Sequence, residues 1–244
     1  MSYNIVDTDL IEINSYLEIE THEIGNHKII VIDNFLKNPE YLLSLMQRHP
    51  IEDYKVKGLD YGWWKHSLSP ELKFTNIRNF INQVAKQFYG ITHVENIYSD
   101  IEMQFNYIQG GKLVNHSDMV PHVDPAFIAS SIFLSSEDDG GGGTAFYSHK
   151  KSNIDYEVSY IDDSFKETGH YWAIQETYKH LQDNDFKLVF DSRKLNSDDW
   201  EQKFLVKLKY NRLVMHPSYI FHSAYLEEGW FEKTPRVSLA SFIK

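Results

Sequence analysis

At about residue 98 the spacing of apolar side chains changes period, and that change limits the folds open to this chain. Before it, residues 70–89 carry Leu72, Ile77, Phe80, Ile81, Val84 and Phe88 at helical spacing. After it, Ile101-Glu102-Met103-Gln104-Phe105-Asn106-Tyr107 alternates. Ile101, Met103, Phe105 and Tyr107 fall on one face of a strand, and Glu102, Gln104 and Asn106 on the other. Short apolar segments predict further strands at 127–134, 144–147, 186–190, 203–209, 212–216, 218–225 and 236–243. Upstream, an apolar strand at 29–36 is followed by a helix from Asn38-Pro39-Glu40 to about Arg48. An Asn cap, a Pro at the first helical position and a Glu in the first turn mark its start. Ser69-Pro70-Glu71 repeats that signal for the helix over 70–89. Helices first and many short strands after them indicate an α+β domain built on a jelly roll. A chain of 244 residues suits one domain. Residues 1–97 supply helical and strand support, and 98–244 supply the core.

Residues 148–200 interrupt that core. The stretch is polar and aromatic-rich, fits a strand meander poorly, and reads as an insertion with some helix near 164–182. Strand connections beyond roughly 12–15 residues are usually functional or disordered. This one holds Tyr156, Tyr160, Phe165, Tyr171, Trp172, Tyr178 and Phe186, which would be wasted in solvent. It is expected to cover the mouth of the site as a lid, the alternative being a buttress packed elsewhere. Its acidic residues Asp155, Glu157, Asp162, Asp163 and Glu167 either favour a cationic substrate or form a solvated surface.

The formal net charge of -11 argues against nucleic acid as a partner, because phosphate binding requires a basic face. There is no cysteine, which removes disulfides and thiolate metal sites; the twelve histidines and the carboxylates are the metal ligands left. The first ten residues carry Asp7 and Asp9 and no basic, apolar leader pattern. No apolar run approaches the roughly 20 residues that span a bilayer. A soluble, cytoplasmic protein without a membrane partner is the expectation; the oligomeric state is left open.

Two segments match H-x-D: His116-Ser117-Asp118 and His122-Val123-Asp124. In either, on extended backbone, both side chains point the same way. His222 ends the apolar run Tyr219-Ile220-Phe221. Two histidines and a carboxylate on one face of an iron leave positions open for further ligands. On a strand Arg236 and Ser238 share a face, so a guanidinium and a hydroxyl can converge on one carboxylate. Gly140 to Gly143 reads as a tight turn and not a phosphate cradle, since no G-K-[ST] follows. Arg212 is either structural or in reach of the active site.

The flanking sequence favours His122 and Asp124 over His116 and Asp118. After His122-Val123-Asp124 come the apolar strand Phe127 to Leu134, the acidic turn Glu137-Asp138-Asp139 and Gly142-Gly143-Thr144-Ala145-Phe146. His222 and Arg236-Val237-Ser238 follow in order. Over about residues 101–147 and 211–242 the chain resembles the prolyl-hydroxylase-like branch of the 2-oxoglutarate/Fe(II) dioxygenase superfamily. The resemblance implies a double-stranded β-helix (jelly roll) and Fe(II) held by His122, Asp124 and His222. It implies that Arg236 and Ser238 bind the distal carboxylate of the co-substrate 2-oxoglutarate, with Gln104, Asn106 and Tyr107 completing that pocket. The implied reaction uses O2, releases succinate and CO2, and oxidises a C–H bond of a small molecule, amino acid or peptide. Halogenating members of the superfamily have a small residue in place of the acidic ligand, so Asp124 favours hydroxylation; desaturation and cyclisation remain open. The alternatives are a non-catalytic jelly-roll binding protein and a cupin-like metalloprotein that does not use 2-oxoglutarate.

Overall fold

The computed structural model describes residues 11–48, 63–67, 72–108, 121–124, 126–150, 200–226 and 230–244. The strand expected at 186–190, the insertion as a lid, the pair His116 and Asp118, and the cap at 69–71 lie outside them. Among the described residues the structure is mostly antiparallel β, with two helices. The strands are β1 (Glu18–Ile24), β2 (His27–Asp33), β3 (Trp63–Ser67), β4 (Ile101–Ile108), β5 (Ile128–Phe133), β6 (Gly143–His149), β7 (Trp200–Lys207), β8 (Arg212–Pro217), β9 (His222–Tyr225) and β10 (Arg236–Ile243); the helices are α1 (Pro39–Arg48) and α2 (Thr75–Tyr89). They form a seven-stranded sheet, β1-β2-β8-β5-β10-β4-β3, and a three-stranded sheet, β7-β6-β9.

Alternation along the central strands makes the large sheet two-sided. Ile101, Met103, Phe105 and Tyr107 of β4 join Leu239 and Ile243 of β10 in one apolar cluster with Leu42 and Leu45 of α1 and Ile77, Ile81 and Val84 of α2. Full burial of such a side chain contributes roughly 1.5–3 kcal/mol, so this face supplies much of the stability. The opposite face meets the small sheet through Ile29, Val31, Phe133 and Val214 against Phe146 and Val206. Beside that apolar patch, the same face carries polar residues. In β10 against β4, Ser238 stands opposite Asn106 and Ala240 opposite Gln104.

Several expected boundaries move. The second helix starts at Thr75 rather than 70, because Phe74 adopts a left-handed conformation (φ 48, ψ 45) just before it. Leu72 and Phe74 are thereby buried as core plugs ahead of the helix. At the other end Gly90, also left-handed (φ 69), donates its N–H to Ala85 O and closes the last turn. The strand expected at 218–225 begins at His222. Residues 218–219 form a turn, in which Ser218 donates its N–H to Phe127 O and accepts from Asp124 N–H. Two strands, β1 and β3, were not anticipated.

The glycine run is a close-packed entry into β6. A Cβ at Gly142 (φ +102) would lie 2.2 Å from Tyr225 O, and one at Gly143 (φ +146) 1.9 Å from Val206 O. Only glycine lets this backbone enter between β7 and β9.

Candidate metal centre

The ligand candidates are brought together by backbone pairing. His122 and His222 exchange two N–H···O bonds, each 2.9 Å, which sets their rings side by side with centroids 4.8 Å apart. Asp124, two residues on from His122, is held by its N–H on Ser218 O at 2.9 Å. One ligand atom from each of His122, Asp124 and His222 lies within 4.8 Å of the others. His222 Nε2 is 3.0 Å from Asp124 Oδ2, and His122 Nε2 is 3.8 Å from Asp124 Oδ1.

The hydrogen bonding suits metal ligation. His222 Nδ1 is 2.8 Å from Ile220 O. A carbonyl only accepts, so Nδ1 carries the hydrogen and Nε2 is left to bind a cation, the arrangement that orients histidine ligands in metal sites. Burial disfavours a charge on His222, but the Asp124 carboxylate and the bonds to Asp124 and Ile220 outweigh it and raise its pKa. A site that attracts a proton to His222 also attracts a metal ion that would replace that proton.

The same three residues line a cavity of about 90 Å³ between the two sheets, together with Gln104, Asn106, Arg236 and Ser238. Arg236 is 4% exposed, and among the described residues no carboxylate pairs with it. Its Nη2 donates to Gly143 O at 3.2 Å, its guanidinium lies 5.2 Å from the Phe133 ring centre, and its Nε is buried with no partner. Burial pushes its pKa down to about 10. Asn106 Oδ1 is likewise buried without a partner. A buried cation with a free donor is costly unless an anion joins it.

Tyr107 stands apart from the other candidates. It lies on the apolar face of β4, in the cluster with the helices, and does not line the cavity; burial pushes its pKa up to about 12. Arg212 is structural. Its Nε and Nη2 bond Asp33 Oδ1 and Oδ2 at 2.6 and 2.9 Å, and Nη1 bonds Lys207 O at 2.8 Å. The residue that sequence reasoning missed is His216, 4% exposed on β8 and part of the cavity lining. Its signal was the strand period: Val214 packs between the sheets, and His216, two residues on, faces the same way.

Residues 15–237 match the family of unknown function DUF6445. The chain belongs to this family. The match includes His122, Asp124, His222 and Arg236. No curated protein matches the chain at a significant level. Similar solved structures include HygX from Streptomyces hygroscopicus with nickel and 2-oxoglutarate bound, at 9% identity over 87% of this chain and 81% of that chain, with a TM-score of 0.41. The same protein with nickel, 2-oxoglutarate and hygromycin B bound matches at 10% identity over 88% and 81%, with a TM-score of 0.35. TM-scores this low do not establish a shared fold. No helix among the described residues is long and apolar enough to cross a membrane.

Proposed function

We propose that this chain is an Fe(II)- and 2-oxoglutarate-dependent oxygenase on a double-stranded β-helix, hydroxylating a C–H bond of a small molecule, amino acid or peptide. One observation carries the reading: a two-histidine, one-carboxylate group and a buried arginine with no counter-charge among the described residues share a single cavity. The donor set fits the metal, since two imidazoles and a carboxylate suit iron and leave coordination positions open. The arginine fits the co-substrate, since a dicarboxylate can reach a cation at one end and a metal at the other.

In this reading His122, Asp124 and His222 hold the iron, and Ile220 O fixes the tautomer of His222. Arg236 and Ser238 bind the distal carboxylate of 2-oxoglutarate, and Gly143 O and Phe133 hold the guanidinium ready for it. Asn106, opposite Ser238, and Gln104 line the same cavity. Bound there, iron with 2-oxoglutarate and O2 supplies C–H oxidation coupled to release of succinate and CO2. The chain's own part is to position the reactants and exclude water. Asp124 keeps the carboxylate ligand in place, which favours hydroxylation over halogenation.

The test is succinate release from 2-oxoglutarate by iron-loaded protein, screened with free amino acids and peptides. Release that needs both metal and co-substrate, and is stimulated by one substrate class, supports the proposal. Metal binding with no affinity for 2-oxoglutarate would reject it in favour of a cupin-like metalloprotein.

A further inference from the structure

His216 is a buried imidazole on the cavity wall for which the metal site has no ligand role. It is absent from the group of mutually close ligand atoms, which His122, Asp124 and His222 complete. Its ring lies 4.4 Å from that of His222 at 62°, and 5.0 Å from Phe146 edge-on at 85°. Its Nδ1 is 2.9 Å from Pro217 O. That carbonyl only accepts, so Nδ1 is the protonated nitrogen of a neutral ring and Nε2 is an acceptor. Among the described residues no side chain or backbone group donates to Nε2. For packing alone, an apolar ring would serve against Phe146 and His222; the imidazole adds a hydrogen-bond acceptor to the cavity wall.

We infer that His216 is an outer-sphere partner of the bound metal, its Nε2 accepting a hydrogen bond from an O–H or N–H group held at the metal, water included. The anchor on Pro217 O fixes the ring, so this acceptor stays beside His222 and marks one side of the site for a hydrogen-bond donor. A carboxylate of 2-oxoglutarate cannot donate, so the position beside His216 selects for water or for a substrate hydroxyl or amine. The inference rests on the reading of His122, Asp124 and His222 as metal ligands.

The experiment titrates the apo protein with cobalt(II) alone, comparing wild type, His216→Phe and His216→Gln. Phenylalanine keeps a ring against Phe146 and His222; glutamine keeps an acceptor at about the reach of Nε2. The readouts are the cobalt Kd, the d–d absorption of bound cobalt, and the Tm of each apo protein. Lost outer-sphere partners typically weaken metal binding about 10- to 100-fold. His216→Phe is therefore expected to bind cobalt that much more weakly with shifted d–d bands and an unchanged apo Tm, and His216→Gln to recover most of the affinity. A Phe variant equal to wild type in Kd and bands overturns the inference, as does failure of Gln to recover what Phe loses. Wild type that binds no cobalt would sink the metal site itself, and the inference with it.

Discussion

At the end of the cavity proposed to hold the metal, the Asp124 carboxylate has the His222 and His122 imidazoles at 3.0 Å and 3.8 Å, so it has partners within the protein. At the other end Arg236 is just as buried but among the described residues has only a carbonyl, a phenyl face and a free Nε. The described residues satisfy the first end and leave the second incomplete. A charge balanced by protein neighbours can be a structural ion pair, as Arg212 with Asp33 demonstrates; a buried charge left unbalanced points to something absent. The arginine end is thus the stronger indication that the cavity takes a ligand, although the metal end carries the more familiar motif.

The largest effect expected belongs to the metal end. Replacing His222 and Asp124 together by Ala removes most of the donor set, and iron stoichiometry should fall from one per chain to background. His116→Ala should leave it nearly intact. Retained stoichiometry in the double variant would mean that the iron binds elsewhere.

Next comes Arg236. Removing one partner of a buried charge pair typically costs about 2–5 kcal/mol, so Arg236→Ala should weaken 2-oxoglutarate binding roughly 30- to 4000-fold while iron affinity stays close to wild type. The apo protein should respond with the opposite sign. Exchanging buried charges for apolar groups of similar volume is often neutral or stabilising by about 1–4 kcal/mol, so Arg236→Met should not lower the apo Tm. A change in 2-oxoglutarate affinity below about threefold would remove Arg236 as the carboxylate anchor.

Arg212 provides the control. Arg212→Ala leaves Asp33 buried with only Lys209, a loss of about 1–3 kcal/mol in unfolding free energy, with metal and 2-oxoglutarate affinities unchanged. Denaturant unfolding and calorimetric titration on the same sample would separate the two arginines. Any ligand defect in Arg212→Ala would undo the contrast.

What sequence could reveal followed from how strongly each position was constrained. The alternation in β4 and β10 was legible because the large sheet buries one face against helices and turns the other to the small sheet and the cavity. It also separated Gln104 and Asn106 from Tyr107, whose place on the apolar face follows from the same period. Strand β1 left little pattern: it is an edge strand with Glu18, Glu20 and Glu23 in solvent and Ile19 half exposed. The start of α2 was misplaced because the left-handed Phe74 carries no side-chain cap, while an upstream Ser-Pro-Glu offered a familiar signal. His216 escaped notice because a histidine within an apolar strand looks the same whether it packs or lines a cavity. Only the pairing of β8 with its neighbours and the cavity between the sheets decide that.

The smallest effect expected separates the balanced ion pair from the cavity by pH. Burial pushes the Asp33 carboxyl up, but hydrogen bonds from Arg212 and Lys209 and their charges outweigh it and hold the pKa below its ordinary value. A carboxyl with a depressed folded pKa contributes stability that is fully present above its unfolded pKa, about 3.9, and is lost as pH falls through the folded value. The stability of wild type over Asp33→Asn should therefore be flat from neutral pH to about 5 and shrink only below about 4. Urea unfolding of both proteins across that range measures the difference directly, and the many groups they share cancel. A difference that stays constant into strong acid, or grows there, would mean that Asp33 stabilises the fold by shape and not by charge. The Asp33–Arg212 pair would then no longer stand as the balanced counterpart of Arg236.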